Sequence, residues 1–238
     1  MKTIKIFIAC LFVSTYVFAQ ENVPPYTLSD RNNDPPEFTA VENTNHQKSL
    51  EQFIDENFKP RSNNGWSEEG TAVVKFVIGP SGQVSDFKII NGVSFYINQE
   101  IIRVLRKTNH MWTPGYTNGF PVAIQKEITI EINPNGTNFQ QVARNYFTKG
   151  AKKFLVEGKT QAASKCFAKA IRYNPNDKGL LFMNALCMSE MGDVESVKQA
   201  VSRIEELGGI DNRSITIAEN VKERESYAQI NAMLSTNE

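Results

Sequence analysis

Residues 70–92, GTAVVKFVIGPSGQVSDFKIING, contain two stretches of alternating apolar residues on either side of a turn signal. Successive side chains of an extended strand point to opposite faces, so this alternation predicts strands with one buried face. Gly79-Pro80-Ser81-Gly82 joins the two stretches, and glycine adopts the positive φ that tight turns require. The segment therefore predicts an antiparallel strand pair, and the rest of the domain has to supply a layer that covers its apolar face.

Two helical patterns and a third alternating stretch surround this pair. Residues 49–58 and 98–107 carry apolar side chains at helical spacing, and residues 122–132 alternate like a strand. The predicted order is helix, strand, strand, helix, strand, which makes a small α+β domain with an antiparallel sheet. The predicted apolar face of the sheet consists of Ala72, Val74, Phe76, Ile78, Phe87, Ile89, Val122, Ile124, Ile128, Ile130 and Ile132.

The stretch MWTPGYTNGFPV, residues 111–122, separates the second helix from the last strand. Trp112 is predicted to cover the open end of a thin two-layer core, because aromatic side chains contribute mostly to packing. Pro114 and Gly115 are predicted to turn the chain, and Asn118 and Gly119 to form a second tight turn that sets the register of the last strand.

These motifs together resemble the C-terminal domain of the TonB family. The shared order is an alternating strand, a turn ending in Gly-x-Val, a helix, Trp-x-Pro-Gly, Asn-Gly-x-Pro-Val and a closing strand, and it covers roughly residues 47–133. The resemblance implies a periplasmic domain that contacts an outer-membrane transporter by adding a strand to its sheet. In this mode backbone hydrogen bonds give affinity and side-chain pockets give specificity.

The edge along residues 122–132 is the predicted place for such an incoming strand. Its side chains on the face away from the core are polar, which suits a solvent-facing sheet surface. These candidate partner-binding residues are Gln125, Glu127, Thr129 and Glu131.

The N-terminal part of the chain departs from the TonB pattern. Residues 1–19 combine two lysines with a short apolar run that ends in Val17-Phe18-Ala19, which predicts a signal peptide cleaved after Ala19. An uncleaved anchor is the alternative, although the run is short for a membrane span. Residues 20–46 are polar and proline-rich and predict an extended linker. A cleaved chain does not transmit force from the inner membrane, so the resemblance implies the fold more than the energy-transducing role.

Residues 138–234 are predicted to form an all-α domain. Ala151 and Ala185, Phe154 and Met188, and Gly158 and Gly192 are each 34 residues apart. This is the period of tetratricopeptide repeats, which the first unit resembles in its small, aromatic and proline positions. The resemblance implies that the first helix of each pair lines a concave face. The residues predicted there are Asn145, Thr148, Lys152, Phe182, Leu186 and Ser189, of which Lys152, Phe182 and Leu186 are the candidate partner-binding residues.

Charge is distributed unevenly along the helical region. Residues 144–178 contain nine basic and two acidic side chains, whereas the whole chain has 26 of each sign and no net charge. The neutral total argues against nucleic-acid binding. The basic stretch is either a solvated helix surface or a groove for an acidic peptide.

The sequence offers little catalytic chemistry. His46 and His110 have no partner at ligand spacing, and the common nucleophile and phosphate-binding motifs do not occur, so we expect no catalytic residues, metal or cofactor. Cys166 and Cys187 are interpreted as buried free thiols, with a disulfide as the alternative that export permits.

The favoured interpretation is an exported, non-enzymatic adaptor of the periplasm that associates with the outer membrane through a protein partner. A cell-envelope hydrolase with a site between its two domains, or a purely structural scaffold, are the alternatives.

Overall fold

The structure is a computed structural model that describes residues 5–7, 33–40, 48–59, 68–210 and 219–235. The chain divides into two compact units, Met1–Asn135 and Gly136–Glu238, which are described separately below as the sheet unit and the helical unit. Apart from residues 5–7, the predicted signal peptide lies outside the described residues, and so does the predicted linker apart from residues 33–40.

The sheet unit contains the predicted helix, strand, strand, helix, strand order together with several short strands. Ser49 begins the first helix with a reciprocal pair of hydrogen bonds: its hydroxyl accepts from the backbone amide of Gln52, and the Gln52 side-chain oxygen accepts from the backbone amide of Ser49. The elements are β1 (Lys5–Phe7), β2 (Glu37–Phe38), α1 (Leu50–Asn57), β3 (Gly70–Ile78), β4 (Val84–Asn91), α2 (Phe95–Arg106), β5 (Trp112–Thr113), β6 (Gly115–Thr117), β7 (Phe120–Val122) and β8 (Ile124–Ile132).

The main sheet is antiparallel and has the strand order β1-β8-β3-β4. Strands β3 and β8 pair along their whole length, from Gly70 opposite Ile132 to Ile78 opposite Ile124. Even-numbered residues of both strands therefore share one face, as the alternation predicts. That face packs against α1 and α2 in a core that includes Val74, Phe76, Ile128 and Ile130.

Part of the predicted linker belongs to this core. Strand β2 pairs with β5, with Phe38 opposite Trp112. The Phe38 ring lies 5.2 Å from the Trp112 ring and 5.6 Å from the Phe53 ring, measured between centroids. The linker prediction is therefore wrong for residues 37–38, because an aromatic residue in a polar stretch supplies a side chain that the thin core needs.

The helical unit consists of two antiparallel helix pairs followed by a C-terminal helical segment. The turns within the two pairs contain Gly158 and Gly192, which both have positive φ, at 64° and 76°. These equivalent turns, 34 residues apart, are consistent with the repeat period in the sequence. The helices are α3 (Phe139–Leu155), α4 (Thr160–Tyr173), α5 (Lys178–Glu190), α6 (Val194–Glu206), α7 (Glu219–Lys222) and α8 (Glu225–Ser235).

A small residue lets α3 and α4 pack closely. Gly150 is buried, and a Cβ atom added to it would lie 2.8 Å from a ring carbon of Phe167. Phe154 and Phe167 are both fully buried beside this crossing. The close approach of these two helices therefore depends on the missing side chain at Gly150, which the sequence analysis did not select, and on the predicted aromatic position Phe167.

Candidate functional site

The predicted strand-docking edge is shorter than the alternating sequence suggests. Strand β8 begins at Ile124, while Phe120–Val122 forms β7 and pairs with β6 in a separate hairpin. Asn118 and Gly119 have φ values of 52° and 79° at the tip of this hairpin, as a tight two-residue turn requires. Gly115 begins β6 at a buried position where a Cβ atom would lie 2.1 Å from the Ile124 side chain, and Pro114 directly precedes it. These turn residues bring the chain into β8.

One side of β8 faces β3, and the other side carries a short strand from the same chain. Lys5 lies opposite Glu131, Ile6 opposite Ile130 and Phe7 opposite Thr129, in antiparallel register. With residues 5–7 in place, the edge is therefore occupied at residues 129–131. In the described part of the chain, no strand pairs with this side of β8 at residues 124–128.

The opposite edge of the sheet is formed by β4, and it is poorly suited to accept a strand. Its pairing with β3 is irregular at two places, between Val73 and Val74 and between Lys75 and Val77. Asp86 has a φ of 51° within β4, and both Asp86 and Lys88 are exposed. Irregular pairing, bends and exposed charges are features that prevent edge-to-edge pairing. The β8 edge is regular and is thus the better docking site of the two.

The polar row of β8 lies on the face opposite the core, but it is not a solvent-facing surface at its centre. Glu127 is only 6% exposed and lies opposite Lys75, also 6% exposed, with 3.9 Å between the carboxylate and ammonium groups. Gln125, Thr129 and Glu131 are half-buried. The expectation of a solvent-facing row is therefore wrong for Glu127, because opposite charges across a strand pair can be buried together when they neutralise one another.

Trp112 lies at the end of the sheet core next to this edge. It is 4% exposed, and its ring centroid lies 5.7 Å from that of Phe76. Its indole N–H donates to the Thr108 hydroxyl at 2.9 Å, which satisfies the one polar group of the side chain. The Lys126 ammonium lies 5.4 Å from the ring centroid, a distance at which a cation is attracted to the ring face. Trp112 therefore connects the core packing to a residue of β8.

The predicted concave face of the helical unit is covered where α5 contributes to it. Phe182 is 1% exposed and Leu186 fully buried, so the prediction that they are accessible partner contacts is wrong for the described structure. The Tyr227 ring of α8 packs edge-on against Phe182, with 5.8 Å between centroids. Ser189 donates to Gln229 of the same helix at 3.0 Å. Lys152, Asn145 and Thr148 are exposed on α3.

The described residues contain few groups with the environment of a reactive site. Cys166 and Cys187 are both buried free thiols, which agrees with the favoured interpretation. Burial raises the pKa of Cys187 to about 12, so its thiol is protonated and unreactive at neutral pH. Within the described residues, no three His, Cys, Asp or Glu side chains form a group that could hold a metal ion, and no helix is long and apolar enough to cross a membrane.

Sequence reasoning missed three residues that contribute to these surfaces. Phe38 was assigned to a linker, and its only sequence signal was an isolated aromatic residue among polar ones. Arg224 and Tyr227 of the C-terminal segment were not selected, although they precede Ile230 at intervals of three residues and would share one helix face.

The comparison with protein families gives one match, to the family described as Gram-negative bacterial TonB protein C-terminal, over residues 60–134. It supports a TonB C-terminal domain in the sheet unit, and it covers less than half of the chain. Domains of this family are non-enzymatic interaction domains of the envelope that contact outer-membrane proteins. No curated protein and no solved structure matches the chain.

Proposed function

We propose that this protein is an exported adaptor of the cell envelope that binds a protein partner by strand addition at the β8 edge. The observation that carries the proposal is the antiparallel pairing of Lys5–Phe7 with residues 129–131. The edge has the regular backbone that an added strand needs, since it already holds one. Strand addition relies on main-chain hydrogen bonds, so strands of different sequence are able to use the same edge.

Export would change the state of this edge. The strand that occupies it belongs to residues 1–19, the segment with the features of a cleaved signal peptide. Cleavage after Ala19 would remove β1 and expose the backbone groups of β8 at residues 129–131. An unpaired edge strand is a template for another chain. The mature protein would therefore offer the full length of β8 to a partner.

The partner best suited to this edge is an extended segment of an outer-membrane protein, and a transporter is the leading candidate. The family match is the basis for this choice, because TonB C-terminal domains contact outer-membrane proteins. The proposed location is the periplasm, with association at the outer membrane through that partner. Gln125, Thr129 and Glu131 are half-buried along the edge strand, where they would adjust specificity.

The helical unit is proposed to be a tetratricopeptide-like array and a second interaction module. Its support is the 34-residue spacing of Gly158 and Gly192 at equivalent turns, both with positive φ. Lys152 is exposed on α3, so a crosslinker at this position tests whether a partner contacts the helical unit.

Site-specific photocrosslinking in cells tests the strand-addition proposal. A photoreactive amino acid is placed separately at Gln125 and Glu131 on the β8 edge strand, at Lys88 on β4 and at Lys152 on α3. The proposal expects one outer-membrane protein to be captured from the two β8 positions and not from Lys88 or Lys152. Mass spectrometry of the purified mature chain checks export, with Gln20 expected as the first residue.

A proline substitution provides the matched control for the edge. Proline lacks an amide hydrogen, so Thr129→Pro should abolish the β8 crosslinks if the captured partner pairs with the backbone. Circular dichroism of the variant confirms that the sheet remains folded. Capture from Lys152 alone would contradict the proposal and make the helical unit the recognition surface, with the sheet unit as a scaffold.

A further inference from the structure

Helix α5 is enclosed on every side. Residues 180–187 are all buried, although they include every angular position around the helix. A helix that is buried all round lies within a core rather than on a surface. Packing against α4 and α6 accounts for only part of its circumference. The remaining side is the one that the repeat arrangement would leave as an open face, and α8 covers it.

Helix α8 covers α5 with an aromatic and an aliphatic side chain. Tyr227 packs edge-on against the ring of Phe182, and Ile230, three residues later, is fully buried. The exposed residue Ala228 lies on the other side of α8, and Gln229 lies at the margin of the contact. This helix is thus amphipathic in the way that a helix bound in a groove is, with anchors at i and i+3.

Arg224, directly before α8, contacts both α3 and α5, which are the first helices of the two pairs. Its guanidinium pairs with the Glu190 carboxylate at the end of α5. It also lies 4.3 Å from the ring centroid of Phe154 in α3, within the range of a cation–π contact. The contact surface therefore spans α3 and α5 and has one acidic recognition point, Glu190, and two aromatic ones, Phe154 and Phe182.

Helix α8 and the margin of its contact with this surface contain polar features that a permanent core avoids. The Ser226 hydroxyl is buried, and no hydrogen-bond partner for it occurs in the described structure. The Arg224–Glu190 pair and the Ser189–Gln229 hydrogen bond lie at its partly exposed margin. Unsatisfied buried groups weaken a contact, and a mixed polar and apolar surface is typical of contacts that open and close.

We propose that the surface formed by Phe154, Phe182 and Glu190 is a receptor for an amphipathic helix, and that α8 is its built-in occupant. The partner that fits is a helix with a cation, an aromatic residue three positions later and an aliphatic residue three positions beyond that. The segment α7–α8 competes with this partner and keeps the surface closed in its absence. This proposal is independent of strand addition at β8.

Hydrogen exchange of the full-length chain tests whether α8 is exchangeable. If α8 opens by itself, its amides exchange faster than those of α5 and α6, through a transition that leaves α3–α6 folded. If α8 is an integral part of the core, α5 and α8 share one exchange rate at every denaturant concentration. The second result would overturn the proposal without requiring any variant.

Competition by a labelled peptide tests the receptor. The probe is a fluorescent peptide of residues 219–235, titrated against the full-length chain. In the Arg224→Glu variant, the new carboxylate repels Glu190 and weakens the contact of the variant's own α8 with the surface. The peptide keeps its arginine and is able to pair with Glu190. We expect this variant to bind the peptide roughly tenfold more tightly than the unchanged chain, because the occupied fraction of the surface falls.

Two further variants make this result specific. Ala228→Glu places the same charge on the exposed side of α8 and should leave the peptide affinity unchanged. Glu190→Arg also loosens α8, but it removes the anchor that the peptide needs, so binding should be lost. Equal affinities of the unchanged chain and the Arg224→Glu and Glu190→Arg variants would overturn the proposal.

Discussion

The sheet unit and the helical unit bury their hydrophobic residues in different ways. In the sheet unit, residue parity decides which face a side chain joins: Val74 and Phe76 of β3 face the helices, while Lys75 between them is buried on the other side of the sheet. In the helical unit, the most buried helix follows no such pattern, and residues 180–187 of α5 are buried without interruption. A periodic apolar pattern in the sequence thus identifies elements that bury one face. It gives no such signal for a helix that is buried all round.

The units also differ in how a terminal segment covers an otherwise open surface. Lys5–Phe7 pairs with β8 through the backbone, which makes few demands on sequence. Helix α8 covers α5 through the side chains of Tyr227 and Ile230, so this contact depends strongly on the sequence of the helix. The difference leads us to expect a broad range of partners for the edge and a narrow one for the helical face.

The largest effect is expected from removing the aromatic that closes the sheet core. Trp112→Ala should destabilise the sheet unit by about 3–5 kcal/mol, because a fully buried aromatic leaves both lost transfer energy and a cavity. Urea titration followed by circular dichroism, on the unchanged and substituted chains, measures the loss. The helical unit should keep its own transition, which would sharpen the distinction between the two cores.

An exposed aromatic provides the control for Trp112. Phe95 is 71% exposed on α2, so Phe95→Ala should change the free energy of unfolding very little. If Trp112→Ala leaves the unfolding curve unchanged but removes binding, Trp112 is a contact residue and the packing argument fails.

A smaller effect tests whether the face of the sheet away from the helices also contributes to stability. Glu127→Lys would place two ammonium groups opposite one another where Lys75 and Glu127 now pair at 3.9 Å. We expect a loss of about 3 kcal/mol, since breaking a buried pair leaves a charge without its counterion. Unfolding titrations on Glu127→Lys and on the double variant with Lys75→Glu measure it. Recovery in the double variant is expected, and an unaltered single variant would show that this face tolerates charge like an ordinary surface.

Much of the sheet unit was predictable because its signals are local. Alternation identified β3, β4 and β8, and Asn118-Gly119 identified a tight turn, which the structure places between β6 and β7. The pairing of Lys5–Phe7 with β8 was not predictable, since any regular edge accepts a strand and the sequence does not specify which. Burial of Glu127 depends on Lys75, which is distant in sequence and opposite only after β3 and β8 pair.

The helical unit was predictable in its repeat and not in its final packing. The 34-residue spacing identified the equivalent turns at Gly158 and Gly192. The same reasoning placed Phe182 and Leu186 on a concave face that a partner could reach, whereas both are buried and Tyr227 of α8 packs on Phe182. The closing helix α8 has only a weak apolar pattern, so its position depends on tertiary contacts such as Tyr227 with Phe182.

A more modest effect is expected where two helices cross. Gly150→Ala would place a Cβ atom 2.8 Å from the Phe167 ring, so one of the two helices has to shift. We expect a net loss of about 1–2 kcal/mol after the helix-forming preference of alanine is included. Thermal unfolding of the helical unit measures it, with the exposed Lys149→Ala as the control. A gain of stability would mean that the crossing has room and that the close contact is unimportant.

The smallest effect concerns the ionisation of the Cys187 thiol, which reports how well the helical unit is covered. Burial is the main cause that raises the pKa of Cys187 to about 12 from an ordinary 9.0. The folded state therefore favours the neutral thiol, and the stability from this group is complete below pH 9 and is lost as the pH rises towards 12. With Cys10 and Cys166 replaced by alanine, a thiol reagent at pH 8 should label the folded chain far more slowly than the unfolded one.

The Arg224→Glu variant decides what limits that labelling. Arg224 lowers the pKa of Cys187 and Glu190 raises it, so replacing the arginine by a carboxylate would raise the pKa further and slow the reaction if α8 stayed in place. Release of α8 would expose α5 and let the thiol ionise more easily, which would accelerate the reaction. Faster labelling of the variant can therefore come only from greater exposure of the helical face. Slower labelling would mean that α8 is a fixed part of the core, and that the surface it covers, unlike the β8 edge, is not offered to a partner.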